Sequence, residues 1–144
     1  MALSTKQVAN HLVTMLQGIS GINHVQKGVP EKQDPRLAAY VTTGSQSLTR
    51  KTSATFDRWG RMLVTFSYLT KGAESDAEDA LMDAVDAFIG LVMTDLTLGE
   101  LVLDVNLDLG MADTPEYSIL AGREYREYPV VVMYKQQDTF NVNP

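Results

Sequence analysis

The sequence predicts an α+β fold: a mostly antiparallel β-sheet with two α-helices packed on one face. Three observations predict it. Residues 75–93 place Ala77, Ala80, Leu81, Ala84, Val85, Phe88, Leu91 and Val92 at helical spacing on one side, and Asp76, Asp79, Asp83 and Asp86 on the other. Residues 3–17 carry a second stripe through Val8, Leu12, Met15 and Leu16. The remaining apolar segments alternate at period two, most cleanly at 101–109. The order helix, strands, helix, strands shows no repeat and no break in composition, so all 144 residues are assigned to one domain.

The first helix is capped by Ser4 or Thr5, with Leu3 as a hydrophobic staple, and Gly18 and Gly21 supply its stop. His11 lies beside its stripe and reads as a flanking residue rather than a ligand. Residues 22–27 are extended, and the prolines and glycine of 28–35 mark a loop. Residues 36–43 read as a strand with weak polar contrast: Leu37, Ala39 and Val41 against Ala38, Tyr40 and Thr42. The polar stretch 44–53 is an extended loop, read as a hairpin that continues beyond the sheet body. Gly60 is expected to turn the chain into a strand at 61–69, central because both of its faces carry apolar side chains.

In the organising helix, Ser75 and Glu78 form a capping box, and the acidic first turns suit the positive end of the helix dipole. Ile89 and Met93 lie off the stripe, so the second half needs further cover. Gly90 marks either a close helix contact or simple tolerance. Leu96 and Leu98 are expected to fold back onto the core. In 101–109 the odd positions Leu101, Leu103, Val105, Leu107 and Leu109 face the core, opposite Asp104, Asn106, Asp108 and Val102. A short strand at 117–121, a turn at Gly122 and Arg123, and a long strand at 124–135 follow. Pro129 sits inside the apolar run of that last strand. A proline belongs at an edge or a bulge, whereas Val130, Val131, Val132 and Met133 call for burial on both sides. The two reconcile if the strand is an edge that another subunit covers. Residues 136–144 are expected to be a flexible tail or a docking arm.

The net charge of −6 and pI near 4.8 argue against a sequence-independent nucleic-acid binder, which needs a basic face, but leave open a surface that lines a channel for DNA without sticking to it. With no cysteine there is neither a disulfide framework nor thiolate chemistry. The start lacks the uninterrupted apolar core of a signal peptide, and no segment has the apolar length to span a bilayer, so no membrane partner is expected. His11 and His24 are too few and too scattered for a histidine metal site, and no nucleotide-binding or nucleophile-elbow motif is present. Asp104, Asn106 and Asp108 on a flat strand make a poor cation cage. No catalytic residue, cofactor or metal is therefore expected. The positive charge gathers at Arg50, Lys51, Arg58 and Arg61. Interface residues are sought where aromatics and arginine meet: Trp59, Arg50, Arg58, Tyr125, Tyr128, Pro129, Val131, Met133 and Tyr134.

The layout resembles the tail terminator (tail completion, head–tail joining) proteins of long-tailed bacteriophages. The pieces that carry the likeness are the opening helix leading into an early strand, the strand 61–69 followed by SDAEDALMDAVDAFIGLV, and the closing LDVNLDLG…PEYSILAGREYREYPVVVMYK. The resemblance implies a non-enzymatic virion protein, assembled in the bacterial cytoplasm, that forms a homohexameric ring on the last ring of tail-tube protein. Such a ring ends tube polymerisation, presents a surface to the head connector protein, and lets DNA pass through its bore without specific binding. A head-completion or other connector protein is the alternative, and a small α+β enzyme a more distant one.

Overall fold

The computed structural model describes residues 4–30, 37–70, 74–109, 116–120 and 122–139. Helix α1 spans Thr5–Gln17 and α2 spans Glu74–Met93; the strands are β1 His24–Lys27, β2 Leu37–Arg50, β3 Thr55–Leu69, β4 Asp104–Asp108, β5 Glu116–Leu120 and β6 Arg123–Thr139. The sheet order is β1-β2-β3-β6-β4, with β5 also paired to β6. All pairings are antiparallel except β1 with β2, which run parallel. The α+β expectation is thus met by a mixed, mostly antiparallel sheet. Both helices cover one face of it, α1 over β1 and β2, α2 over β3.

The core forms between that face and the two apolar stripes. Val8, Leu12 and Leu16 of α1 and Leu81, Val85, Phe88 and Val92 of α2 meet Ala39, Met62, Val64, Phe66, Val130 and Val132. Phe66 and Phe88 pack edge to face, centroids 5.8 Å apart at 61°. The opposite face is also buried over one end, at Ala38, Thr65, Ser67, Leu69 and Tyr125. This explains the weak polar contrast of β2. There the Tyr40 hydroxyl donates to the Glu127 carboxylate.

Ser4 caps α1, its Oγ accepting from the Gln7 N–H at 3.2 Å. The second helix starts at Glu74, so Ser75 lies inside its first turn, and the residues just before it fall outside the described ones. The four aspartates of α2 are exposed as expected. Leu91 is exposed rather than part of the stripe, and Met93 is more so. Gly90 faces open space, with no atom within 4 Å of where a Cβ would stand, so no helix contact depends on it. Gly90→Ala is expected to raise stability by about 0.5–1 kcal/mol by reducing unfolded-chain entropy, measured as a higher urea midpoint at unchanged slope.

Three further expectations are corrected. Gly60 is no turn: it lies within β3, opposite Gln46 on one side and Tyr134 on the other. The hairpin turns at residues 51–54 instead. Thr52 Oγ1 accepts from the Ala54 and Thr55 N–H groups, and the Lys51 N–H donates to the Thr55 carbonyl at 2.8 Å. Next, 101–109 is not one strand. Leu98, Gly99 and Glu100 all have positive φ, at 47°, 66° and 68°, and this left-handed run drops Leu98 into the core while Leu96 stays exposed. Asp95 holds the run, its Oδ1 accepting from the Gly99 N–H at 2.9 Å and its Oδ2 pairing with His11 Nε2 at 2.8 Å. The Gly99 bond foremost, with help from His11, keeps the Asp95 carboxyl below its ordinary value despite its burial. The chain emerges with Val102 buried and Leu103 exposed, the reverse of the expected alternation, and regular pairing begins only at Asp104.

The third correction concerns β6. It is not an edge but an interior strand, paired with β3 from Tyr125 to Thr139. On its other side β5 takes residues 123–127 and β4 takes 131–135. Pro129 falls in the gap between them. Where the strand changes partners there is no second ladder for a proline to interrupt. Val130, Val131, Val132, Tyr125 and Tyr134 are all buried by their own chain. Residues 136–139 continue the strand rather than starting a tail, and 140–144 lie outside the described residues.

Candidate assembly surface

The long strands carry the sheet past its helical cover. The N-terminus of α1 marks that limit: Thr5 Oγ1 accepts from Arg58 Nη1 at 2.8 Å and from Gln46 Nε2 at 3.2 Å. Beyond it, residues 43–50 are all exposed, yet Thr43 and 46–50 remain paired with β3, which is in turn paired with β6. The stretch expected to be a hairpin beyond the sheet body is therefore a three-stranded arm, roughly 20 Å long at ~3.3 Å per residue. A bulge between Thr43 and Gln46 sits at its root, a device that bends a strand and increases its twist.

On the face away from the helices, the arm presents Trp59, half exposed, with Lys135 Nζ 4.9 Å from the ring centroid. A shallow groove of about 330 Å³ runs beside it, lined by Ser45, Ser47, Arg61 and Met133. Below Trp59, Asp57 is buried between strands. Its Oδ1 accepts from Gln137 Nε2 at 3.0 Å, and its Oδ2 lies 3.4 Å from Lys51 Nζ and 3.6 Å from Lys135 Nζ. Burial raises the carboxyl pKa, but Gln137 and the two ammonium groups together outweigh it and hold Asp57 below its ordinary value. This one carboxylate ties the arm's tip to β3 and β6. The stabilisation is present above the ordinary carboxylate value near 3.8 and is lost as pH falls through the lower folded-state value. An NMR titration of the arm amides is expected to be flat from neutral pH down to about pH 4 and to show loss of order below it. Asp57→Asn removes that transition and lowers the urea midpoint at neutral pH.

On the helix-side face, Tyr134 lies flat against Gly60. A Cβ at position 60 would stand 2.3 Å from Tyr134 Cζ, which is why glycine is required inside this strand. Gln46 Nε2 lies 3.5 Å from the Tyr134 hydroxyl, and burial pushes that hydroxyl above its usual value of 10, against the influence of Thr5 and Arg58.

The expected interface residues are therefore divided. Trp59 and Met133 share the open face of the arm. Arg50 folds over the tip, its Nε donating to the Thr52 carbonyl at 3.1 Å. Arg58 serves the helix-side face. Tyr128 is half-buried against the core, and Pro129 is half-buried on the opposite face. Tyr125, Val131 and Tyr134 are interior and offer no surface to a partner in this structure. The basic cluster is split too: Lys51 reaches Asp57, Arg58 reaches Thr5, Arg50 folds over the tip, and Arg61 faces outward beside the groove. Sequence reasoning missed Asp57, Lys51, Lys135 and Gln137 as a group. Their signal was parity, since Asp57 and Trp59 share a face once Gly60 is read as strand.

Elsewhere, Arg126 is buried and pairs with Glu78 of α2 at 2.6 Å, while its guanidinium lies 5.9 Å from the Tyr117 ring centroid. That contact fastens helix to sheet. No three potential metal-ligating side chains converge among the described residues, and no helix among them is long and apolar enough to cross a membrane. No protein-family model matches the chain, and no curated protein matches it.

Proposed function

We propose that this chain is a structural subunit that assembles into a ring at the head-proximal end of a phage tail, where it ends tail-tube polymerisation and receives the head connector. The arm is the observation that carries this reading. A three-stranded extension stiffened by a buried carboxylate, bearing a half-exposed tryptophan beside a shallow groove, costs solubility in isolation and gains a use when a neighbour covers it. The likeness in layout to tail terminators supplies the setting, and the partners are further copies, the tube protein and a connector. The net charge of −6 suits a bore through which DNA slides without sticking. Contacts of this kind are heterologous and close by rotation.

Light scattering on the purified full chain over a wide concentration range tests the reading. The expected particle is about six times the 15.9 kDa chain mass. A strict monomer at high concentration, with tube protein present, contradicts it.

A further inference from the structure

Resting on the ring reading above, we propose that neighbouring subunits join through the two margins of the sheet: β1 of one copy pairs antiparallel with β4 of the next. Among the described residues, no strand pairs with the outer side of either β1 or β4. Unpaired strand edges invite a further strand, so proteins either block them or use them.

These two margins are complementary. The outer strand β1 carries His24 and Lys27, and β4 carries Asp104 and Asp108. Pairing β4 with a second β4 sets aspartates against aspartates, which is unfavourable. The aspartates thus disfavour the twofold contact through β4, whereas in the heterologous contact they meet the polar row of His24 and Gln26. The side-chain faces agree as well. Val25 sits on the helix-covered side with Ala39, as do Val105 and Leu107, opposite Tyr134 and Val132. His24 and Gln26 share the other side with Asp104, Asn106 and Asp108. An in-plane junction therefore sets Val25 against the apolar row of β4 and His24 and Gln26 against its polar row, with Lys27, on the helix-covered side beside Val41, as the exception. Exposed apolar side chains flank both margins: Val29 at 60% beyond β1, and Leu103 at 47% and Leu109 at 39% at the ends of β4.

Strand direction fits too. The chain runs the same way in β1, β2 and β6 and the opposite way in β3 and β4. A rotation about a ring axis broadly along the strands keeps directions, so an incoming β1 meets β4 antiparallel. The rows of β1 fall level with β6 residues 127–130, whereas β4 spans 131–135. Joining them tilts the strands by roughly 30° to the axis, from ~3.3 Å per residue and ~4.8 Å per strand, close to the tilt of closed sheets.

Side-chain parity leaves two registers. Val25 opposite Leu107 sets Gln26 opposite Asn106; Val25 opposite Val105 sets Gln26 opposite Asp104. Facing Cα atoms in an antiparallel pair lie about 4.5–5.5 Å apart, within disulfide range, and the chain has no cysteine of its own. The full-length double variants Gln26→Cys/Asn106→Cys and Gln26→Cys/Asp104→Cys are oxidised, with their reduced forms checked for unchanged mass by light scattering. One of them is expected to give a ladder of covalent multimers on a denaturing gel ending at the ring number, while each single variant stays monomeric. A ring-sized particle in which neither pair cross-links overturns the edge pairing and leaves the ring. Single variants that cross-link to dimers overturn it in favour of a twofold contact. A protein that is monomeric throughout removes the ring reading and the edge pairing together.

Discussion

Replacing Phe88 with alanine is expected to remove about 3–5 kcal/mol of stability. Phe88 is fully buried, and its ring meets Phe66 of the central strand edge to face. It stands where α2 is fastened to β3, among Leu81, Val85 and Val92 of its own stripe. Truncation removes the transfer free energy of the ring and leaves a cavity that rigid strands on both sides of β3 cannot fill by moving. A domain of this size has roughly 5–15 kcal/mol in all, so the variant sits near the limit of folding, with a midpoint roughly 10 °C or more lower. Phe88→Leu, which keeps most of the volume, is expected to cost under about 1.5 kcal/mol. Urea unfolding at one fixed protein concentration measures both, since association would otherwise shift the midpoint. Equal losses for the two variants would mean that Phe88 acts through something other than packing.

Gly60→Ala is the second large effect, and it is unusual in adding a single methyl group. The new Cβ would lie 2.3 Å from Tyr134 Cζ and 2.4 Å from its hydroxyl oxygen. The end of a side chain often yields cheaply, but Tyr134 is fully buried and has nowhere to turn. The strands must separate locally or the ring must leave its site, at about 1–3 kcal/mol. Tyr134→Leu makes room, so the second substitution is expected to cost much less in that background. A double-mutant cycle should return a coupling of about 1–2 kcal/mol in the direction of rescue. If Gly60 were a turn, Gly60→Ala would act through backbone conformation, and Tyr134→Leu would leave its cost unchanged.

That contrast shows what the sequence can and cannot reveal. The stripes of both helices were legible because a helix repeats its environment every 3.6 residues, and the central place of β3 was legible because both its faces are apolar. The hairpin beyond the sheet was legible from the polar, Ser- and Thr-rich stretch 44–53, although its turn at 51–54 was not. Gly60 was misread because its reason is a ring 74 positions away, and local rules see only a residue that breaks structure. Pro129 was misread for a similar reason: its tolerance comes from the handover between β5 and β4, which no window of sequence contains. Leu103 and Val102 exchanged roles because the chain is still irregular there, after three left-handed residues, whereas Val105 and Leu107 within β4 keep the expected side. The aromatics of the last strand were expected at an interface because tyrosine is common there. Tyr125 and Tyr134 instead lie inside, and burial of Tyr134 is eased by having Gln46 near its hydroxyl. Trp59 is half exposed, and its setting, on an arm above a buried Asp57, became visible only with the pairing.

The assembly claim now rests on the arm and the sheet margins rather than on an uncovered last strand. Electron microscopy of the full-length protein at the concentration where light scattering shows its largest stable mass addresses it most directly. Closed rings of one size, each with a central opening, are the predicted result. Dispersed single chains, or open filaments that never close, would contradict it.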